Sequence, residues 1–130
     1  MLKKHPVDVM LLAPDLGAAK QFYGEKVGLD VLIETDEFIT FGCGGDSRLV
    51  VTKSSTGTTE AQTKANWRVT DIATEVADLR VRGVEIDEYD EPGLKTVDGV
   101  ADVGFALAAW FVDPGGNSIG MLQFKDQKLG

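Results

Sequence analysis

The chain has 130 residues, with 13 Lys and Arg against 21 Asp and Glu, a formal net charge of −8. That length supports one domain with a core of its own. The acidic balance excludes a nucleic-acid binder, which needs a basic face for the phosphates, and permits a cationic ligand. At 43% hydrophobic and 26% charged, with no stretch long enough to span a bilayer and no signal-peptide pattern in Met1–Pro6, the expectation is a cytoplasmic globular protein with no membrane partner.

The first predicted element is a short alternating strand. If Asp8, Met10 and Leu12 point to one side, then Val7, Val9 and Leu11 point to the other. Asp15 follows as a helix N-cap, its carboxylate placed to accept backbone N–H bonds. The helix puts Leu16, Ala19, Phe22, Tyr23 and Val27 on one side and closes at Gly28. Three strands come next, LDVLIET, EFITFG and RLVVTK. Between the last two, Cys43 lies in a Gly-rich turn. As the single cysteine it forms no internal disulfide and no Cys-rich zinc site, and with the only histidine at position 5 it reads as a spare thiol rather than a nucleophile. A polar linker, SSTGTTEAQTKA, ends the first half.

The second half repeats the pattern. Lys64, Asn66 and Arg68 alternate with Ala65, Trp67 and Val69, the latter set facing a helix. Asp71 caps that helix, Ile72, Val76 and Leu79 form its apolar side, and Gly83 ends it. Strands are predicted at VEIDEYD, GFALAAWFV and NSIGMLQF, with an irregular stretch, EPGLKTVDGVADVG, after the first of them. The turn Asp113-Pro114-Gly115-Gly116-Asn117 joins the last two, Pro presetting φ and Gly tolerating a positive one. Asp15 and Asp71 are 56 residues apart and Gly28 and Gly83 are 55 apart, so the halves superpose with one gap. Each half is β-α-β-β-β, module one covering about residues 6–54 and module two about 64–125 of a single 130-residue domain.

A tandem β-α-β-β-β chain with the motifs APDLGAAKQFYGEKVGLDV, VTDIATEVADLRVRGV and AWFVDPGGNSIGMLQ resembles the vicinal oxygen chelate superfamily. That group comprises glyoxalases, extradiol dioxygenases and bleomycin resistance proteins. The resemblance implies an α+β fold in which two tandem βαβββ modules form an open, U-shaped mixed sheet around a cleft. In metal-dependent members, His, Gln or Glu side chains from strands of both halves hold a divalent ion there. Counted from the motifs, those positions fall on Asp8, Val50, Lys64 and Gly120. Only Asp8 is an ordinary ligand, since Lys repels a cation and Val and Gly offer no donor. No metal and no other cofactor is therefore expected.

Strand alternation assigns Asp8, Met10, Lys64, Asn66, Arg68, Gly120 and Leu122 to the cleft. Trp110 is added as a stacking surface, with its neighbour Phe111 the competing choice. Asp8 and Lys64 are repeat mates, and either they pair in place of an ion or Lys64 belongs to the polar linker and points to water. Gly120, inside an apolar strand, either leaves room for a ligand or marks a bulge or close backbone approach. The leading functional expectation is metal-free binding, or sequestration, of a small organic molecule, as in the antibiotic-binding resistance proteins. The alternatives are a metal-independent lyase or isomerase with Asp8 as base, and a metal-dependent glyoxalase-type lyase or dioxygenase with ligands elsewhere. A homodimer is expected, because a two-module chain leaves sheet edges that a second copy can cover.

Overall fold

The computed structural model describes all residues except 56, 58–61, 127 and 129–130, so part of the predicted linker lies outside the described residues. The chain divides into two compact units. The first is Met1–Ala61 with Asp113–Asn117, and the second is Gln62–Val112 with Ser118–Gly130.

The first unit contains β1 (Asp8–Ala13), α1 (Leu16–Lys20), β2 (Asp30–Glu34), β3 (Phe38–Gly42) and β4 (Arg48–Lys53). Its open mixed sheet has the order β1-β4-β3-β2, with β1 parallel to β4 and the other pairs antiparallel. Asp15 caps α1 as its chemistry predicts, Oδ1 accepting from the Ala18 N–H at 3.0 Å. The helix widens into a π-type turn over Gln21–Lys26 and stops at Gly28, whose φ of 86° only glycine adopts without strain. Ala19, Phe22 and Tyr23 are buried on the face turned to the sheet, which contributes Leu11, Ala13, Ile39, Phe41, Leu49 and Val51 to the core. Tyr23 meets Phe22 edge-on at 5.1 Å and Phe41 at 5.7 Å.

The turn Asp113–Asn117 is organised around one carboxylate. Asp113 Oδ1 accepts from the N–H groups of Gly115 at 2.9 Å and Asn117 at 2.8 Å, while Oδ2 accepts the Tyr23 hydroxyl at 2.6 Å. The Asn117 side chain in turn donates to the Leu12 carbonyl at 2.8 Å. Asp113 and Asn117 are only 5% and 1% exposed, yet their hydrogen-bonding capacity is used, as buried polar groups require. Burial and the adjacent Asp113 carboxylate push the Tyr23 phenol far above its ordinary value.

The second unit contains β5 (Thr63–Arg68), α2 (Ile72–Val81), β6 (Asp90–Glu91), β7 (Leu94–Val97), β8 (Val100–Asp102), β9 (Ala106–Val112) and β10 (Ser118–Phe124). Its sheet runs β5-β10-β9-β8-β7-β6, with β5 parallel to β10 and the other pairs antiparallel. Asp71 caps α2, accepting from the Thr74 N–H at 3.3 Å and the Thr74 hydroxyl at 2.7 Å. The helix buries Ile72, Val76 and Leu79 and packs on β9 and β10. On the same side Gln123 Oε1 accepts the Ile72 N–H at 2.9 Å.

Two predictions are corrected here. VEIDEYD is not a regular strand until Asp90. It follows β9 through a single bond, Asp87 N–H to the Trp110 carbonyl at 2.8 Å, and buries Val84 and Ile86. The stretch read as irregular, EPGLKTVDGVADVG, instead holds two hairpins. Asp98 and Gly99, with φ of 53° and 81°, link Val97 to its partner Val100 in a two-residue turn of the I′ kind, whose backbone twist suits a hairpin. Pro92 and Gly93 close the other between Glu91 and Leu94, Gly93 supplying φ of 84°. Among the described residues no helix is long and apolar enough to cross a membrane.

Candidate functional site

Each sheet has one face covered by its helix and one free of it. The predicted site residues are assigned to the helix-free faces by strand register. In the first unit, three rows cross β1, β4 and β3: Asp8–Arg48–Gly42, Met10–Val50–Thr40 and Leu12–Thr52–Phe38. A bulge in β2 between Val31 and Ile33 brings Ile33 opposite Thr40, and the Leu32 side chain lies over Gly42, 3.3 Å from where a Cβ would stand. The result is an apolar surface with an ion pair at one end. Met10, Leu12, Leu32 and Ile33 are 61%, 42%, 55% and 40% exposed.

Asp8 is engaged by a residue outside the predicted site set. Arg48 donates Nε to Oδ1 at 3.1 Å and Nη2 to Oδ2 at 3.0 Å, a two-point guanidinium–carboxylate pair. The neighbouring strand thus supplies a cation to Asp8. Arg48 opens β4, and only the parallel β1–β4 register sets it beside Asp8.

In the second unit, Gly120 has Asn66 on one side and Trp110 on the other, and Leu122 stands between Arg68 and Ala108. Asn66, Arg68, Trp110, Gly120 and Leu122 therefore share one face, as predicted by alternation. Phe111 lies on the opposite face and is 1% exposed, while Trp110 is half-buried on the helix-free face. Alternation breaks only at the start of β5. A register shift between Ser118 and Ile119 leaves Lys64 at the bulge, and it is the Thr63 methyl that approaches Gly120.

The space at Gly120 is occupied by its neighbours. A Cβ there would stand 2.8 Å from Asn66 Oδ1, 3.3 Å from Thr63 Cγ2 and 3.4 Å from Trp110 Cδ1. The glycine is therefore closed in by side chains, which is neither open room nor a bulge or close backbone approach at this position.

Two further residues join this face that the sequence did not single out. The Tyr89 ring meets Trp110 edge-on, centroids 5.6 Å apart and planes at 86°. Its hydroxyl makes a long contact of 3.4 Å to Asp87 Oδ2. Burial raises the Asp87 carboxyl, with Glu85 adding to the effect and the Tyr89 bond opposing it; burial and Asp87 in turn raise the Tyr89 phenol. Cys43, half-buried in its turn, has its thiol pushed up by burial, which suits an inert group.

Of the four positions at which the resemblance places metal ligands, only Asp8 carries an ordinary ligand. Asp8 already accepts two bonds from Arg48, Val50 is apolar and 5% exposed, Lys64 is a cation, and Gly120 has no donor and its place is filled by Asn66. Among the described residues no three His, Cys, Asp or Glu side chains are grouped so as to hold an ion. Elsewhere on the first unit, a hollow of about 490 Å³ lies beside the start of α1, between Pro14, Asp15, Thr35, Asp36 and Lys53; none of the predicted site residues lines it.

No protein-family model and no curated protein sequence matches the chain. Solved structures do. TnmS3, an antibiotic binding protein from Streptomyces sp. CB03234, is similar over 93% of this chain and 96% of its own, at 26% identity and a TM-score of 0.67. A glyoxalase/bleomycin resistance protein from the same organism is similar over 92% and 100%, at 27% identity and 0.66. The lactoylglutathione lyase from Agrobacterium tumefaciens shares the fold over 92% of each chain, at 20% identity and 0.63. With its paired units of open mixed sheet and single helix, the chain has the fold of the vicinal oxygen chelate superfamily, the group of glyoxalases and bleomycin resistance proteins.

Proposed function

We propose that the protein binds a small organic molecule on the helix-free faces of its sheets, without a metal ion, and holds it rather than converting it. The observation that carries this reading is the arrangement around Trp110. A half-buried indole is braced edge-on by Tyr89 and stands beside Gly120 and the Asn66 amide. An aromatic surface with a few placed polar groups is the usual composition of a small-molecule site. Asp8, Met10, Lys64, Asn66, Arg68, Trp110, Gly120 and Leu122 are the proposed contacts, and Tyr89 joins them. The likeness to an antibiotic binding protein supports sequestration as the activity.

We also propose a homodimer. On the edge strand β2, Val31, Leu32 and Ile33 are 38%, 55% and 40% exposed, an apolar edge that an isolated chain has reason to cover.

The test is a thermal-shift screen of chelator-treated protein against planar aromatic natural products, with each hit recovered and analysed by mass spectrometry. A compound that raises Tm and is recovered intact is expected. A hit that is chemically altered, or that binds only after a divalent metal is restored, would overturn the proposal.

A further inference from the structure

The first unit's helix-free face carries two hydroxyls that find no partner among the described residues. Thr40 is 1% exposed, and its Oγ1 and that of Thr52 are buried without a hydrogen-bond partner among the described residues. The two are neighbours. Thr40 pairs with Val50 and Thr52 with Phe38, so the threonines are diagonal across the antiparallel strands β3 and β4. Diagonal positions are about 7–8 Å apart, within reach of a single small molecule. Their surroundings are apolar: Met10, Leu12, Val50, Phe38 and Ile33.

A buried hydroxyl without a partner is costly, and valine, of nearly the same shape and as suited to a strand, would fill each position without that cost. The sheet's own folding gives no use for either hydroxyl. Each has one proton to donate, and an acceptor oxygen lying between the two diagonal positions has a lone pair for each. No cation in the same rows is at hand for an anionic oxygen, since Arg48, one row away, is held by Asp8. Resting on the binding reading above, we propose that Thr40 and Thr52 form a hydrogen-bonding subsite for the carbonyl oxygen of a neutral, largely apolar molecule.

The probe is prodan, 6-propionyl-2-(dimethylamino)naphthalene, a neutral naphthyl ketone whose emission moves to the red when its carbonyl accepts a hydrogen bond. It is titrated into the wild type, Thr40→Val, Thr52→Val, the double variant and Trp110→Ala, and melting temperatures are measured without probe. The double valine variant is expected to melt at the same temperature as the wild type or higher. Its bound prodan is expected to emit further to the blue and to bind about tenfold more weakly. A stability gain joined to a binding loss is the signature of hydroxyls kept for a ligand. Three results overturn the subsite: valine variants that melt lower, which makes the hydroxyls structural; bound emission and affinity indifferent to both substitutions; or a wild type that ignores prodan. If prodan binding responds to Trp110→Ala but not to valine, the subsite fails and small-molecule binding stands. If the natural-product screen also returns nothing, the broader reading fails with it.

Discussion

Two glycines show how much a missing Cβ depends on what surrounds it. A Cβ at Gly115 would run into the Leu12 carbonyl oxygen and come within 3.2 Å of Ala13 Cα, both backbone atoms that cannot step aside. At Gly120 the nearest atom is the end of the exposed Asn66 side chain, which can. Gly115→Ala should therefore cost about 2–3 kcal/mol by chemical denaturation and Gly120→Ala no more than about 1 kcal/mol. The Gly120→Ala cost should nearly vanish when combined with Asn66→Ser. An unfolded Gly120→Ala, or equal costs at the two sites, would show that Asn66 is not free to move.

Tyr23 belongs to the same scale. Removing its hydroxyl leaves Asp113 short of one buried donor, and Tyr23→Phe should cost about 1.5–3 kcal/mol. The phenol's folded value is raised above the unfolded one. Its contribution is therefore complete below the ordinary tyrosine value of about 10, and is lost as pH rises beyond it, because the unfolded chain ionises first. Stability should fall by about 1.4 kcal/mol per pH unit above pH 10 from this group alone. Tyr23→Phe should flatten that fall, leaving the smaller part owed to Tyr89. Urea unfolding at pH 8, 10 and 11 measures both slopes; parallel slopes would remove Tyr23 from the account.

Among the elements, the hairpin β7–β8 rests on two residues with positive φ, Asp98 and Gly99. Asp98→Asn should be neutral or slightly stabilising, since Asn is the favoured residue at the first position of an I′ turn. Gly99→Ala should cost more than about 1 kcal/mol, because its Cβ would stand 2.8 Å from Ile86 Cγ2 in addition to the backbone strain. Equal melting temperatures for the two variants would contradict the turn assignment. This hairpin is also legible in the sequence. Asp-Gly between Val97 and Val100 is a strong local turn signal, hidden inside a stretch whose other Gly, Pro and Asp residues read as loop.

What the sequence did yield rests on local rules. Asp15 and Asp71 cap the helices, Gly28 and Gly83 end them, and alternation sorts Asp8 with Met10, and Gly120 with Trp110, onto the helix-free faces. What it withheld depends on residues distant in the chain. The pairing of Asp8 with Arg48 follows from a parallel β1–β4 register, and the meeting of Tyr89 with Trp110 follows from a segment without strand periodicity. The bulge beside Ser118 shifts which residue approaches Gly120, and no pattern in the sequence marks it.

At the scale of the whole molecule, the fold is shared by binding proteins and enzymes alike, so function has to be argued from side chains. The proposed dimer through the β2 edge predicts that Leu32→Lys with Ile33→Lys shifts sedimentation from a dimer toward a monomer without unfolding the chain, whereas the wild type sediments as a dimer. A wild type that is monomeric at micromolar concentration would remove the dimer from the account.

Metal-free binding at Trp110 is tested most directly by calorimetric titration of the best intact hit from the screen into chelator-treated wild type and chelator-treated Trp110→Ala. The account predicts about one molecule bound per chain by the stripped wild type, affinity unchanged on adding back zinc or manganese, and a loss of tenfold or more in Trp110→Ala with little change in melting temperature. Binding that appears only with metal, or that survives undiminished in Trp110→Ala, would contradict it.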